Sequence, residues 1–136
     1  MQVRELVEQL YSAFNRRDVE TVVSLARPDV EFRPVTAEFA GRSAPYRGHE
    51  GLRLYFHDVG EVWEELLVTP QRVRSHGEVI LVTGRVYARG RRHGIRDLPA
   101  AWIWLLQDGL LREGTVYGGL EEALAAVELS EPPVPG

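Results

Sequence analysis

Apolar residues along this chain change their spacing in a fixed order, and that order restricts the fold more than any single motif does. Val3, Leu6, Val7, Leu10 and Phe14 recur three and four residues apart, with Tyr11 beside them, which predicts an amphipathic helix with one buried face. Asn15-Arg16-Arg17-Asp18 interrupts the pattern, and Asp18 is a candidate N-cap for a second helix carrying Val19, Val22, Val23 and Ala26. Pro28 is expected to end that helix, because the residue before a proline disfavours helical geometry. Val30-Glu31-Phe32-Arg33 then alternates as a short strand, and residues Thr36 to Pro45 carry no period and read as a loop.

The segment Tyr46-Arg47-Gly48-His49-Glu50-Gly51 leads into a third helix, expected from His49 or Glu50 to about Leu66, with Leu52, Phe56, Val59 and Trp63 on one face. Everything after it is strand-like. Leu67 to Val73 reads as an outer strand, where Pro70 suits an edge or a bulge. Val79 to Arg89 alternates, with Ile80, Val82, Gly84, Val86 and Ala88 on one face. Gly90 to Gly94 is a turn, Ala100 to Gln107 a long strand, and Asp108-Gly109 a hairpin signal before a partner strand from Leu110 to Tyr117. A last short helix is expected from Leu120 to Val127. Helices first and antiparallel strands afterwards define an α+β domain, and a strongly curved sheet wrapped by three helices would enclose a cavity.

The length of 136 residues suits one domain burying roughly two thirds of its unfolded surface, taken as residues 1–128 with a mobile proline-rich tail over 129–136. No apolar run approaches the ~18 residues of a membrane span, and Arg4 and Glu5 oppose a signal-peptide reading, so no membrane partner and a cytoplasmic location are expected. A net charge of −4 argues against nucleic acid as a partner. Two absences limit the chemistry. Without cysteine there is no thiolate nucleophile or thiolate metal site. All sixteen basic residues are arginine, so Schiff-base chemistry and a lysine base are excluded too. The acid/base candidates left are His49, His57, His76, His93, the carboxylates and the tyrosines. No two histidines have ligand spacing, so no metal site is expected, and no cofactor.

The helix–helix–strand opening, Asp29-Val30-Glu31-Phe32, the Tyr46-to-Gly51 segment and Trp104-Leu105-Leu106-Gln107-Asp108-Gly109 followed by Val116-Tyr117 together resemble the SnoaL-like branch of the nuclear-transport-factor superfamily. The resemblance implies a cone-shaped, cystatin-like α+β roll, a pocket between sheet and helices, and a homodimer formed through the sheet. Its members include polyketide cyclases, ketosteroid isomerases, epoxide hydrolases and dehydratases, so the fold alone selects no reaction. Where isomerase-like members carry a carboxylate base this chain has Arg33, which cannot accept a proton. Their oxyanion-donating tyrosine on the first helix corresponds to Tyr11 or to Phe14. Their Ala-His-Val-Trp stretch is replaced by Ala101-Trp102-Ile103-Trp104.

Candidate catalytic residues are therefore Asp97, Glu31, His49 and Tyr11. Asp97 is either a buried acid with a raised pKa, as some relatives keep there, or a solvated partner of Arg89, Arg91, Arg92 and Arg96. His49 is either an acid or base at the pocket mouth or part of a helix start. Glu31 and Arg33 share one strand face, and Glu113 and Tyr117 another; each faces either the pocket or solvent and a partner. The aromatic supply of Phe14, Phe32, Tyr46, Tyr55, Phe56, Trp63, Trp102, Trp104 and Tyr117 serves core packing or the lining of a site for a small, largely apolar molecule. Two functions stay open on these residues: a cofactor-independent isomerase, cyclase or hydrolase, and a ligand-binding or dimerisation module without chemistry.

Overall fold

The structure, a computed structural model, describes residues 2–34, 45–90, 92, 94–118, 121 and 123–124. Helix α1 runs Val3–Arg16 and buries Leu6, Val7, Leu10, Tyr11 and Ala13, the face that the apolar spacing predicts. It stops where Arg17 turns left-handed at φ 55°, and the Asp18 N–H bonds back to the Ala13 carbonyl at 2.8 Å. Asp18 then caps α2 (Val19–Ser24): its carboxylate accepts from the Thr21 N–H at 3.3 Å and from the Thr21 hydroxyl at 2.6 Å.

The second helix is shorter than its apolar pattern. Ala26 belongs to β1 (Ala26–Arg33), and Pro28 lies inside that strand instead of ending the helix. The cause is tertiary. Leu25 offers its carbonyl to the Leu111 N–H at 2.9 Å and Ala26 pairs with Leu111, so the last strand captures the chain one turn early. Pro28, which has no N–H to give, falls where the pairing shifts between Ala26 and Glu31.

After β2 (Tyr46–Arg47), helix α3 (Gly48–Val62) buries Leu52, Tyr55 and Val59, and β3 (Trp63–His76) begins without an intervening residue. Trp63, expected on the helix, is thus the first residue of a strand, paired with Gly90. Strands β4 (Val79–Gly90), β5 (Gly94–Gln107) and β6 (Leu110–Tyr117) complete a curved six-stranded sheet of order β2-β1-β6-β5-β4-β3. All pairs are antiparallel except β1 with β6. The β5–β6 hairpin turns on Asp108 and Gly109 at φ 55° and 81°, the left-handed pair a two-residue loop requires. β3 is an edge strand with an irregularity between Pro70 and Arg72, as the proline suggests. β5 starts six residues before the expected Ala100.

Helices α1 and α3 pack on one face of the sheet, which we call the inner face, and the main core lies between. Cross-strand rows define that face: Leu66–Ala88–Arg96, Val68–Val86–Leu98 and Trp104–Gly114–Phe32. On the outer face Ala101 and Ile103 are buried together with Ala123. The expected last helix is described at Glu121, Ala123 and Leu124, all helical. The expected loop, except Pro45, and the 129–136 tail lie outside the described residues. No helix among the described residues is long and apolar enough to cross a membrane.

Candidate functional site

A cavity of about 270 Å³ lies between the inner face and the helices. Its volume is just under the roughly 300–1,000 Å³ of small-molecule pockets. Tyr11 and Phe14 reach it from α1, Phe32 from β1 and Tyr55 from α3. Trp63, Leu66 and Val68 come from β3 and Val86 and Ala88 from β4, while β5 contributes Arg96, Leu98, Pro99, Ala100, Trp102 and Trp104. Val116, Tyr117 and Gly118 close the β6 side, next to Pro34.

Aromatic rings form one connected wall. Phe32 stacks on Trp104 with centroids 5.7 Å apart and planes 10° from parallel. These two residues sit on strands separated by β6, and both are register partners of Gly114. The rings meet because the strand between them has no side chain there: a Cβ on Gly114 would stand 2.2 Å from Trp104 Cζ3. Tyr55 meets Phe32 edge-on at 4.9 Å, and Tyr11 meets Trp102 edge-on at 5.1 Å.

Tyr11 is a buried polar group in this wall. Its hydroxyl oxygen accepts from Trp104 Nε1 at 3.1 Å, and no residue described accepts its own proton. Burial pushes the Tyr11 pKa well above the ordinary tyrosine value, against a smaller lowering by the Trp104 bond. At neutral pH the group is therefore a protonated phenol, already polarised by one donor and able to give its hydrogen to an acceptor in the cavity.

The other candidate catalytic residues stand elsewhere. Asp97 lies on the outer face, exposed, with Oδ1 2.9 Å from Arg85 Nε and its carbonyl 3.1 Å from Arg85 Nη2. It is the solvated ion pair, with a partner one strand over instead of the neighbouring arginines. His49 places Nε2 2.9 Å from the Ala26 carbonyl, fastening the start of α3 to β1. Glu31 and Arg33 also face outward; Glu31 lies 3.7 Å from Arg33 and 3.5 Å from Arg47, in a shallow polar depression with Glu113, Thr115 and Tyr117.

Two of the aromatic candidates support the wall from behind. Tyr46 is buried and donates its hydroxyl proton to Asp58 Oδ2 at 2.7 Å, and Phe56 packs on Phe14 at 5.3 Å. Phe14, Phe32, Tyr55, Trp63, Trp102, Trp104 and Tyr117 do line the cavity with Tyr11. Sequence reading counted Arg96 only among the arginines around Asp97, without placing it on the cavity, and missed Leu98. Both share the even parity of Trp102 and Trp104 along one strand, the signal that would have placed them. Among the described residues no group of three or more His, Asp or Glu side chains is arranged to hold a metal ion.

The fold and its apolar cavity define a class, and the chain belongs to it: residues 7–114 match the SnoaL-like domain family. No curated protein matches the chain. Solved structures share the fold. An NTF2-like protein of unknown function from Burkholderia pseudomallei K96243 is 21% identical at a TM-score of 0.77, covering 92% of this chain and 96% of that one. TerC, co-crystallised with polyporic acid, is 22% identical at 0.76, covering 90% and 94%. IdmH from Streptomyces antibioticus, named as a candidate polyketide cyclase, is 17% identical at 0.71, covering 96% and 100%.

Proposed function

We propose that this SnoaL-like protein binds a small, largely apolar molecule in the cavity, and that the molecule presents a hydrogen-bond acceptor to Tyr11. The observation that carries this reading is the Tyr11 hydroxyl, buried in an aromatic wall with its oxygen occupied by Trp104 and its proton available. Apolar walls supply affinity and one placed donor supplies orientation. Co-crystallisation of TerC with polyporic acid, a property of that protein, supports the capacity of such a cone for a flat ligand.

The same wall favours binding over proton transfer. An isomerase or cyclase needs a base in reach of its substrate. Among the described lining residues there is no carboxylate and no imidazole, and Tyr11 is held protonated. It can polarise an acceptor but cannot take its proton.

Equilibrium dialysis with the neutral probe methyl 6-hydroxy-2-naphthoate tests the reading. The wild type should bind it, and Tyr11→Phe should weaken binding about five- to tenfold, the worth of one net hydrogen bond. Equal affinity in both proteins, or no binding to the wild type, would overturn it.

A homodimer through the outer face of the sheet is part of the same proposal. Its support is the apolar strip of Val79, Leu81 and Leu105, only partly buried beside Ile103. Sedimentation should give twice the chain mass, and Leu81→Glu should halve it.

A further inference from the structure

The two indoles that β5 turns toward the helices differ in what their nitrogens do. Trp104 Nε1 gives its proton to the Tyr11 hydroxyl at 3.1 Å. Trp102 Nε1 makes no hydrogen bond among the described residues, and it is not one of the buried side-chain atoms closed off from open space. Yet Trp102 as a whole is only 4% exposed. A buried indole N–H ordinarily has an acceptor, so this one requires an explanation. Trp102 lies on the inner face and lines the cavity beside Ala100, which is the open space a residue so enclosed can reach. Its ring meets that of Tyr11 edge-on, with centroids 5.1 Å apart.

Two hydrogen-bond donors on touching rings therefore serve one end of the cavity. Apart from tyrosine hydroxyls, no lining side chain among the described residues can accept a proton. A ligand alcohol or phenol would carry its own proton into this wall and gain little for desolvating it. A carbonyl oxygen has two lone pairs and no proton, so it can accept from both donors at once. Building on the binding function proposed above, we infer that Trp102 is a second ligand-binding donor and that the ligand is a neutral aryl carbonyl compound, its oxygen shared by the Tyr11 hydroxyl and the Trp102 indole. The aromatic wall holds the ring system, and the paired donors select the ketone over the alcohol of the same shape.

Three probes that differ at one carbon test this. 1-Acenaphthenone, 1-acenaphthenol and acenaphthene share a flat body and carry C=O, CHOH or CH2 at the same place. By equilibrium dialysis the wild type should hold the ketone about fivefold or more tightly than the alcohol. Replacing Trp102 by its benzothiophene isostere, which keeps the shape and puts sulfur where the N–H was, should weaken the ketone about five- to tenfold, the worth of one net hydrogen bond. Acenaphthene, which offers no acceptor, should stay within about twofold. Trp102→Phe should likewise cost the ketone more than the hydrocarbon.

An alcohol held as tightly as the ketone, or equal losses for ketone and hydrocarbon in both Trp102 variants, would overturn this inference. Tyr11→Phe keeps the two readings apart: if it alone weakens the ketone, Tyr11 is the single donor and the apolar-ligand reading stands. If none of the three probes bound the wild type, both would fall together.

Discussion

The carboxamide of Asn15 holds both backbone groups of Val68: Nδ2 donates to the Val68 carbonyl at 3.0 Å, and Oδ1 accepts the Val68 N–H at 2.8 Å. Val68 lies on the edge strand, so a side chain on α1 stands where the next strand of a larger sheet would pair. Edge strands with open backbone groups invite pairing with other chains, and this contact closes the edge at the level of the cavity. It also sets the distance between α1 and the sheet, and with it the place of Tyr11.

Asn15→Ala should therefore cost about 1–3 kcal/mol, the penalty for leaving partly buried backbone groups unsatisfied. Urea denaturation gives that number. Light scattering at elevated temperature should show faster aggregation than the wild type, and a wild-type stability would show that the pair is idle.

Tyr11→Phe leaves the Trp104 N–H without its acceptor in a buried place, and should also cost about 1–3 kcal/mol at neutral pH. Its pH dependence follows from burial. The folded-state pKa of Tyr11 lies above the unfolded value of about 10, so the proton is held more tightly in the native state. That contribution is whole below pH ~10 and is lost as pH rises from there through the folded-state pKa. The stability gap between wild type and Tyr11→Phe should narrow above pH ~10 when denaturation is repeated across an alkaline series. A gap that stayed constant would mean that Tyr11 is not buried as described.

Gly114→Ala puts a methyl group where the Trp104 ring lies. The indole must move off β6, separating it from Phe32 and from Tyr11. Overpacking of this kind costs about 1–3 kcal/mol. Near-ultraviolet circular dichroism should change in the tryptophan region, and the neutral naphthoate ester should lose affinity although no contact residue has been altered. Retained binding with an unchanged spectrum would mean that the wall tolerates the methyl group.

Asp97→Ala removes half of an exposed ion pair with Arg85 on the face away from the cavity. Stability should stay within about 1 kcal/mol, the usual worth of such a pair. Probe affinity should remain within about twofold of wild type, as for surface changes away from a site. A loss of binding in this variant would restore the other sequence reading, in which Asp97 is a buried acid.

Sequence reading succeeded where the structure is decided locally. The apolar spacing of α1, the Asp18 cap and the Asp108-Gly109 turn each rest on residues within one or two turns of chain. It failed at Ala26 and Trp63, where helix passes to strand with almost no breaker between. At Ala26 the change is imposed by Leu111, 85 residues downstream by the numbering of the pair. Apolar residues at helical spacing are also good strand residues, so pattern alone continued both helices too far. For the site, the aromatic inventory anticipated most of the wall. It had no means to tell Trp102, on the wall, from Tyr46 or Phe56, behind it. Asp97 was placed by resemblance, while its odd parity beside Trp102 and Trp104 already assigned it to the other face.

β6, the last strand in sequence among the described residues, is inserted between β1 and β5 near the middle of the sheet. During synthesis, then, the amino-terminal helices and β1 wait with their apolar faces exposed until Tyr117 has emerged. No shorter nascent chain can form the aromatic wall, since Phe32 and Trp104 have no shared neighbour before Gly114 arrives. The cavity is thus a property of the chain only once β6 has joined the sheet, and a chaperone shielding the earlier elements would find its work done in a single late step.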